Sequence, residues 1–302
     1  MKKAIISLHV SIFLAGFTAI LGKLITLNEA LLTWYRLLIT IFTMWLIYWF
    51  SGKKTGVSSS DKWKIYGVGA FVTLHWIAFY ASIKYANVSV ALVTFSSVGF
   101  FTAIFEPLLL KRRFQWMEVL FGLISMAGIF IIFHFDTQYE AGILAGIAAA
   151  VLAAIFTILN KPLLRRNSPE TVTRFELTGG FIFLSLILPG YLKIFPTHNF
   201  YPGWADIGWL LILAWFCTVL SFTLSLRALD KISAFTVNLS YNLEPVYGIL
   251  LAFIIFRENE HLTGEFWLGL SLIAFSVILQ TFMVYRTRGK TNAKIEASSG
   301  IN

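Results

Sequence analysis

Residues 232–256 read ISAFTVNLSYNLEPVYGILLAFIIF, and Arg257 and Glu258 follow directly. The stretch is apolar along most of its length, and a single acidic side chain, Glu244, interrupts it. A helix of about 20 apolar residues crosses the hydrocarbon core of a bilayer. The stretch therefore predicts a transmembrane helix that carries one carboxylate about midway along its length.

Nine other runs of similar length and composition occur along the chain. Charged residues make up 13% of the 302 residues, against about a quarter in soluble globular proteins, and the mean hydropathy is +0.76. Such a composition is typical of a chain whose main solvent is lipid, and the short connections leave no room for a soluble domain. The runs predict ten transmembrane helices, at residues 4–21, 30–50, 65–84, 88–110, 114–135, 141–159, 172–194, 205–226, 232–256 and 266–285.

The distribution of the basic residues predicts how these helices are oriented. If the N-terminus is cytoplasmic, the termini and connections on that side hold 19 of the 24 Lys and Arg side chains, and Arg36 lies within a span. The opposite side holds only Lys23, Lys84, Lys193 and Arg257. This bias follows the positive-inside rule and predicts an inner-membrane protein with both termini in the cytoplasm. Because the positive charge is spread over short connections, we expect no binding of nucleic acid despite the net charge of +9.

Short motifs recur in the two halves of the chain in the same order. Leu14-Ala15 and Ile20-Leu21 in the first predicted helix match Leu152-Ala153 and Ile158-Leu159 in the sixth. At similar separations, Thr33 matches Thr173, Arg36 aligns with Glu176, Ser89 matches Ser233, Ser96 matches Ser240 and Gly122 matches Gly269. A common order at a nearly constant separation indicates an internal repeat.

Each repeat contains five predicted helices, so the second repeat enters the membrane in the opposite orientation. Inverted repeats of this kind are the architecture of many secondary transporters, which hold substrate near the midplane between the two halves. We therefore predict an all-α integral membrane fold of ten transmembrane helices in two inverted five-helix repeats. Residues 1–135 form the first repeat, residues 141–285 the second, and residues 286–302 a polar cytoplasmic tail.

The ninth predicted helix and the two residues after it carry a resemblance to a known family. Residues 238–258, in which Glu244-Pro245-Val246 precedes an apolar run that ends in Glu258, resemble the second-repeat motif of the EamA-type transporters of the drug/metabolite transporter superfamily. Arg36 and Glu176 also look like that family, and the resemblance covers residues 4–285. It implies export or exchange of small metabolites such as amino acids. It also implies a central cavity lined by the third, fourth, eighth and ninth helices.

The first repeat departs from the family pattern. The proline usual near Phe101 is absent, and Glu106-Pro107 comes later in the helix. Lys111-Arg112-Arg113 ends this helix where a Gly-Glu pair is common. We expect Glu106 to form a local ion pair with this basic cluster.

Ionisable side chains within the spans are candidate functional residues, because a charge at the bilayer centre costs about 2.5–3.5 kcal/mol or more. Glu244 could contact a substrate ammonium group or couple transport to protons. Alternatively, it could hydrogen-bond a neighbouring helix where Pro245 loosens its own helix. Arg36 and Glu176, near the outer and cytoplasmic ends of their spans, could gate the cavity or simply extend to the interface.

The third predicted helix offers a further candidate group. His75 could relay protons or bind substrate, or it could donate a hydrogen bond to a carbonyl. Trp76 and Tyr80 lie on one face, four residues apart, and could form an aromatic wall for an apolar or cationic substrate. Ordinary helix packing would explain the same pair.

Polar residues in the fourth and ninth helices form a second group, comprising Thr94, Ser97, Asn238, Tyr241 and Asn242. They could line a polar cavity beside Glu244 or join helices by hydrogen bonds. In the sixth helix, Gly142, Gly146, Ala150 and Ala154 recur every four residues, which indicates a seam of close helix packing.

These observations predict an alternating-access transporter for a small metabolite, with an amino acid or a related amphipathic compound as the favoured substrate. Two alternatives stay open: an exchanger of phosphorylated metabolites or nucleotide sugars, and a non-transporting intramembrane enzyme or assembly protein. No catalytic, phosphate-binding or metal-binding motif occurs, so we expect no enzyme activity and no cofactor. The expected partners are a small-molecule substrate and the lipid bilayer, with protons as a further candidate. The sequence does not indicate an oligomeric state.

Overall fold

The computed structural model describes residues 2–52, 56–135, 137–241, 243–276, 278–279 and 282, and within these ranges the regular structure is entirely helical. In the first half, the described residues form α1 (Lys2–Leu24), α2 (Glu29–Phe50), α3 (Ser59–Tyr85), α4 (Val88–Phe95), α5 (Val98–Leu110) and α6 (Trp116–Phe135). Side-chain caps stabilise the N-termini of α2, α3 and α4. The side chains of Asn28, Ser58 and Asn87 each accept a hydrogen bond from the backbone N–H of the residue three positions later.

The second half contains a comparable series of helices. Its described residues form α7 (Glu140–Leu163), α8 (Pro169–Ile194), α9 (Trp204–Ala214), α10 (Ser221–Lys231), α11 (Ala234–Tyr241), α12 (Glu244–Phe256) and α13 (Gly264–Ser276). A π-helical segment, Trp215–Leu220, joins α9 to α10 without a break. Short 3₁₀ turns occur at Thr137–Tyr139 and Glu258–His261.

Seven helical stretches of the described chain are long and apolar enough to cross a membrane. They are α1, α2, α3, Val88–Leu110, α7, α8 and Trp204–Lys231. Three shorter apolar helices, Trp116–Ile131, Glu244–Phe256 and Gly264–Ser276, overlap the fifth, ninth and tenth predicted spans. The protein is therefore an all-α, multi-pass membrane protein.

The ninth predicted span, residues 232–256, consists of two helices in the part of the chain that the structure describes. Helix α11 ends at Tyr241, and α12 begins at Glu244 with Pro245 in its first turn. Proline lacks the N–H that would continue an existing helix, and its ring collides with the carbonyl of the fourth residue before it. The first position of a new helix tolerates both effects. The predicted tenth span runs past the described helix, and the tail at 286–302 lies outside the described residues.

The fourth predicted span also consists of two helices, α4 and α5. The hydroxyl of Ser97 donates to the carbonyl of Thr94 at 2.7 Å, and the Ser96 hydroxyl donates to Val93. Hydroxyl groups that bond to nearby carbonyls compete with regular helical geometry. Both broken spans end in a non-glycine residue with left-handed backbone geometry, Lys111 (φ 52°) after α5 and Arg257 (φ 53°) after α12.

Helix α3 lies at the centre of the bundle and packs closely on α7 and α8. A Cβ atom added to Gly146 would lie 2.0 Å from the hydroxyl of Thr94, and one added to Gly142 would lie 2.4 Å from the side chain of Ala86. Ala150 and Ala154 are fully buried in the same helix. The seam predicted along this helix is thus confirmed as a packing surface.

Candidate functional site

A cavity of about 90 Å³ lies at the centre of the bundle. Helices α3, α10 and α11 and the start of α12 contribute to its wall, as the family resemblance implies, and Phe95 of α4 adds to it. The wall also includes residues of α1, α2 and α7. Its guanidinium, imidazole, amide and carboxyl side chains are those of Arg36, His75, Asn238 and Glu244. Its aromatic side chains include Trp76, Phe79, Phe156, Phe222 and Tyr241.

Glu244 is the acidic residue of this cavity. As the first residue of α12 it stands at the interruption of the ninth span, and its side chain is 4% exposed. None of the described residues forms a hydrogen bond with its carboxylate group, although Arg36 is close enough to interact with it electrostatically. A buried carboxylate without a hydrogen bond is costly. Among the described residues, the hydrogen-bonding capacity of this carboxylate group is therefore unused.

Arg36, by contrast, is held from three directions. Its Nε donates to Thr218 Oγ1 at 2.7 Å, one terminal nitrogen donates to the hydroxyl of Tyr80 at 2.6 Å, and the other to the carbonyl of Cys217 at 3.3 Å. The guanidinium group also stacks on the ring of Trp76, 3.7 Å from its centroid. Arg36 is thus a fixed cation that balances the charge of the cavity.

The third helix supplies the aromatic side of the site. The Nδ1 atom of His75 lies 2.9 Å from the carbonyl oxygen of Ala149, a geometry in which the ring donates to that carbonyl. The ring contacts Phe95 and Phe156 at centroid distances of 5.3 and 5.5 Å. Of the roles considered for His75, the hydrogen bond to a carbonyl is therefore the one that its Nδ1 atom fills. The same ring nevertheless borders the cavity.

The polar residues of α11 that line the cavity also form hydrogen bonds to neighbouring helices. Asn238 donates from its side-chain amide to Thr102 of α5 at 2.9 Å. The hydroxyl of Tyr241 lies 2.8 Å from that of Ser11 in α1, which in turn donates to the carbonyl of Ser221. Asn238 and Tyr241 therefore join helices and line the cavity at once. Asn242 lies outside the described residues.

Four predicted site residues lie elsewhere. Thr94 and Ser97 donate to carbonyls of their own helix and, as far as the described residues define the cavity, do not line it. Tyr80 is fully buried behind Arg36 and positions that guanidinium group. Glu176 accepts a hydrogen bond of 2.8 Å from the side chain of Asn160 on the adjacent helix, away from the cavity.

Several residues of the cavity wall were not predicted from the sequence. Ser221 and Ser225 lie four residues apart, so both reach one face of α10, and Phe222 lies beside them. The i, i+4 spacing of two hydroxyl groups in an apolar helix was a usable signal. Thr18 and Thr157 give no comparable signal, because an isolated threonine is common in membrane helices.

A multi-pass helical fold with a central cavity that holds Arg36 and Glu244 is typical of membrane proteins of the transporter class. The chain belongs to the EamA-like transporter family, whose model matches residues 2–134 and again residues 140–282. The protein is therefore a transporter of the drug/metabolite transporter superfamily and not an enzyme.

Individual relatives agree with this assignment. An Archaeoglobus fulgidus protein described as an uncharacterized transporter is 27% identical over 68% of this chain and 79% of its own length. A Clostridium kluyveri protein with the same description is 23% identical over 59% of each chain. A solved crystal structure shares the fold, with a TM-score of 0.67 and 18% identity over 95% of this chain and 99% of the other.

Proposed function

We propose that the protein is an alternating-access secondary transporter that exports or exchanges a small metabolite, an amino acid or a related amphipathic compound. The observation that carries this proposal is the Glu244 carboxylate, buried at the cavity wall without a hydrogen bond to any described residue. A primary ammonium group would complete its hydrogen bonding and compensate its charge.

The rest of the cavity suits the remainder of such a molecule. Trp76, Phe156 and Phe222 provide apolar surface for a hydrocarbon or aromatic side chain. Asn238 and Tyr241 offer polar atoms beside Glu244. The volume of about 90 Å³ is small, so substrate entry requires the helices to separate.

For the architecture, we propose ten transmembrane helices in two inverted five-helix repeats, with both termini on the cytoplasmic side of the inner membrane. Two separate matches to one family model, at residues 2–134 and 140–282, support a division between residues 134 and 140. The broken fourth and ninth spans, each ended by a left-handed residue at Lys111 and Arg257, are what a repeated unit would produce. Two similar halves can exchange conformations at little cost, which alternating access requires.

Exchange of phosphorylated metabolites or nucleotide sugars is the weaker alternative. Such a substrate would need basic groups that can turn towards its phosphate oxygens. Among the described residues that line the cavity, Arg36 is the one with a permanent positive charge, and its three nitrogens already donate to Tyr80, Thr218 and Cys217.

Counterflow in proteoliposomes tests the proposal. Vesicles loaded with one unlabelled compound at a time are assayed for uptake of the same compound in labelled form, using apolar and aromatic amino acids, their N-acetyl derivatives and a sugar phosphate. We expect uptake of one or more free amino acids and none of the N-acetyl forms, which lack the ammonium group. Uptake of the sugar phosphate alone would overturn the proposal.

Two variants locate the site. Glu244→Gln should reduce counterflow by about tenfold or more, since a buried hydrogen bond to a charged group contributes about 1.5–3 kcal/mol. The matched control, Glu265→Gln, makes the same change at an exposed position and should transport normally. If protons are the coupling ion, the pH dependence of net transport should disappear in Glu244→Gln or in His75→Ala.

A further inference from the structure

A second groove lies on the outer surface of the bundle, at the end where α2 finishes and α8 begins. Its volume is about 610 Å³, and its walls come from the last turns of α2, the first turns of α8 and the segment 219–227. In the proposed orientation this end faces the cytoplasm. Neither the family match nor the proposed substrate site assigns it a role.

The groove and the central cavity lie on different faces of one helix. Leu220, Leu224 and Arg227 follow each other at helical spacings of four and three residues and face the groove. Ser221 and Ser225, one position further along, face the central cavity. A ligand in the groove therefore approaches from the side of the bundle, where lipid surrounds the protein, and does not enter the transport pathway.

The polar end of the groove carries two arginines. The guanidinium group of Arg174 stacks on Tyr48, 3.5 Å from the ring centroid, and lies 4.9 Å from that of Trp45. Arg227 stands at an exposed position, with its side chain 51% accessible, and forms an ion pair with Glu170. Two positive charges and one negative charge leave the groove with a net charge of +1.

The other end of the groove is hydrocarbon. Met44, Ile47, Val219 and Leu220 form its wall, and Ile47 and Leu220 are 57% and 43% exposed. Apolar side chains that are exposed in the bundle itself meet acyl chains in a membrane. The groove thus combines a basic end at the level of the helix termini with an apolar end directed towards the bilayer core.

We propose that this groove binds one anionic phospholipid from the surrounding leaflet. The phosphodiester group would lie between Arg227 and Arg174, and one acyl chain would follow Ile47 and Leu220. Basic pockets between transmembrane helices on the cytoplasmic side are suited to anionic headgroups. The net charge of +1 complements a monoanionic lipid. A zwitterionic lipid would bring its own ammonium group towards two arginines and is disfavoured.

The test uses the full-length protein in a neutral maltoside detergent. It is titrated with phosphatidylglycerol, with phosphatidylcholine of the same acyl chains, and with glycerol phosphate as a headgroup without chains. Binding is counted by native mass spectrometry, and the apparent melting temperature is recorded in parallel. We expect one tightly bound phosphatidylglycerol and a rise in melting temperature, with weaker binding of phosphatidylcholine and none of glycerol phosphate.

Variants that lower or raise the charge of the groove test whether headgroup charge determines lipid binding. Arg227→Gln should weaken phosphatidylglycerol binding about fivefold, and Glu170→Gln, which leaves Arg227 unpaired and raises the net charge to +2, should strengthen it about fivefold. Leu220→Trp fills the apolar end without changing charge and should also weaken binding. Arg166→Gln is the matched control. It removes an exposed basic residue that lies just before α8 and outside the groove.

Three results would overturn the proposal. Equal affinity for phosphatidylcholine would remove the role of headgroup charge. A rise in melting temperature with glycerol phosphate alone would indicate a site for free phosphate. If Arg166→Gln weakened phosphatidylglycerol binding as much as Arg227→Gln does, overall charge, and not the groove, would govern lipid binding.

Discussion

The ammonium group of Lys23 lies 2.7 Å from the carboxylate of Glu258, a residue 235 positions later in the chain. The same carboxylate accepts the backbone N–H groups of Val88 and Ser89 at 3.1 and 2.8 Å, and the Ser89 hydroxyl at 2.7 Å. Glu258 therefore caps α4 and joins it to the end of α1. Three segments distant in sequence are connected through one buried carboxylate.

Glu258→Gln should destabilise the protein by about 1–3 kcal/mol, because the neutral amide keeps the shape but weakens several charge-assisted hydrogen bonds. The free energy of unfolding, measured by denaturation in mixed micelles, tests this. Glu260→Gln changes an exposed glutamate two positions away and should have little effect. Equal stability of the two variants would show that the Glu258 cluster contributes little.

The contribution of Glu258 should depend on pH in a defined direction. Burial alone would raise the pKa of this carboxyl, but hydrogen bonds from Lys23 and Ser89 and the charge of Lys23 hold it below its ordinary value of 4.5. A lowered pKa in the folded state stabilises the protein above the unfolded-state pKa, and this stability is lost as the pH falls through the folded-state pKa. The difference in stability between wild type and Glu258→Gln should thus be full at neutral pH and should shrink below about pH 4.5. A difference that grew on acidification would contradict this assignment.

Arg36→Lys should impair both stability and transport. A lysine ammonium cannot donate in three fixed directions or stack on Trp76 as a planar guanidinium does, so hydrogen bonds to Thr218, Tyr80 or Cys217 are lost. We expect a loss of about 1–3 kcal/mol in the free energy of unfolding and a marked fall in counterflow. Arg166→Lys, at an exposed position, should behave as wild type.

Two substitutions at Glu176 separate a gating role from a structural one. Its Oε2 atom and the Oδ1 atom of Asn160 have no hydrogen-bond partner among the described residues. Glu176→Gln adds a donor that can reach Asn160 and should leave stability unchanged or raise it by up to about 1 kcal/mol. Glu176→Ala removes the bond and should cost about 2 kcal/mol or more. Normal transport by a stable Glu176→Gln protein would exclude a gate that depends on this charge.

The contact between α3 and α8 can be tested with two neighbouring glycines. A Cβ atom at Gly69 would lie 2.0 Å from the backbone carbonyl oxygen of Glu176, and one at Gly67 would meet no atom within 4 Å. Gly69→Ala should therefore cost about 3 kcal/mol, since two backbones must move apart. Gly67→Ala should be neutral or stabilise the helix by up to about 1 kcal/mol. Similar thermal stabilities for the two variants would contradict the close backbone contact between Gly69 and Glu176.

Composition and motif spacing predicted the class of protein and most helix positions, because every helix that crosses the bilayer needs about 20 mostly apolar residues. The same reasoning placed Glu244, Asn238 and His75 inside spans, and the structure brings these three to one cavity. The partners of Arg36 and Glu176 could not be predicted, since Tyr80, Thr218 and Asn160 are defined only by tertiary packing. The break before α12 was visible as Pro245, but a proline in a membrane helix can also produce a kink alone.

The π-helical segment Trp215–Leu220 affects how α10 would respond to the insertion or deletion of one residue. A π turn accommodates one residue more than an α turn, so it is equivalent to a single-residue insertion within a helix. In an uninterrupted α-helix each added residue rotates everything after it by about 100°. The surplus residue therefore determines that Ser221 and Ser225 face inward and Leu220 and Arg227 outward. Deleting one residue here would rotate α10 by about 100° and turn Ser221 and Ser225 from the central cavity towards the groove, without altering any side chain of α10.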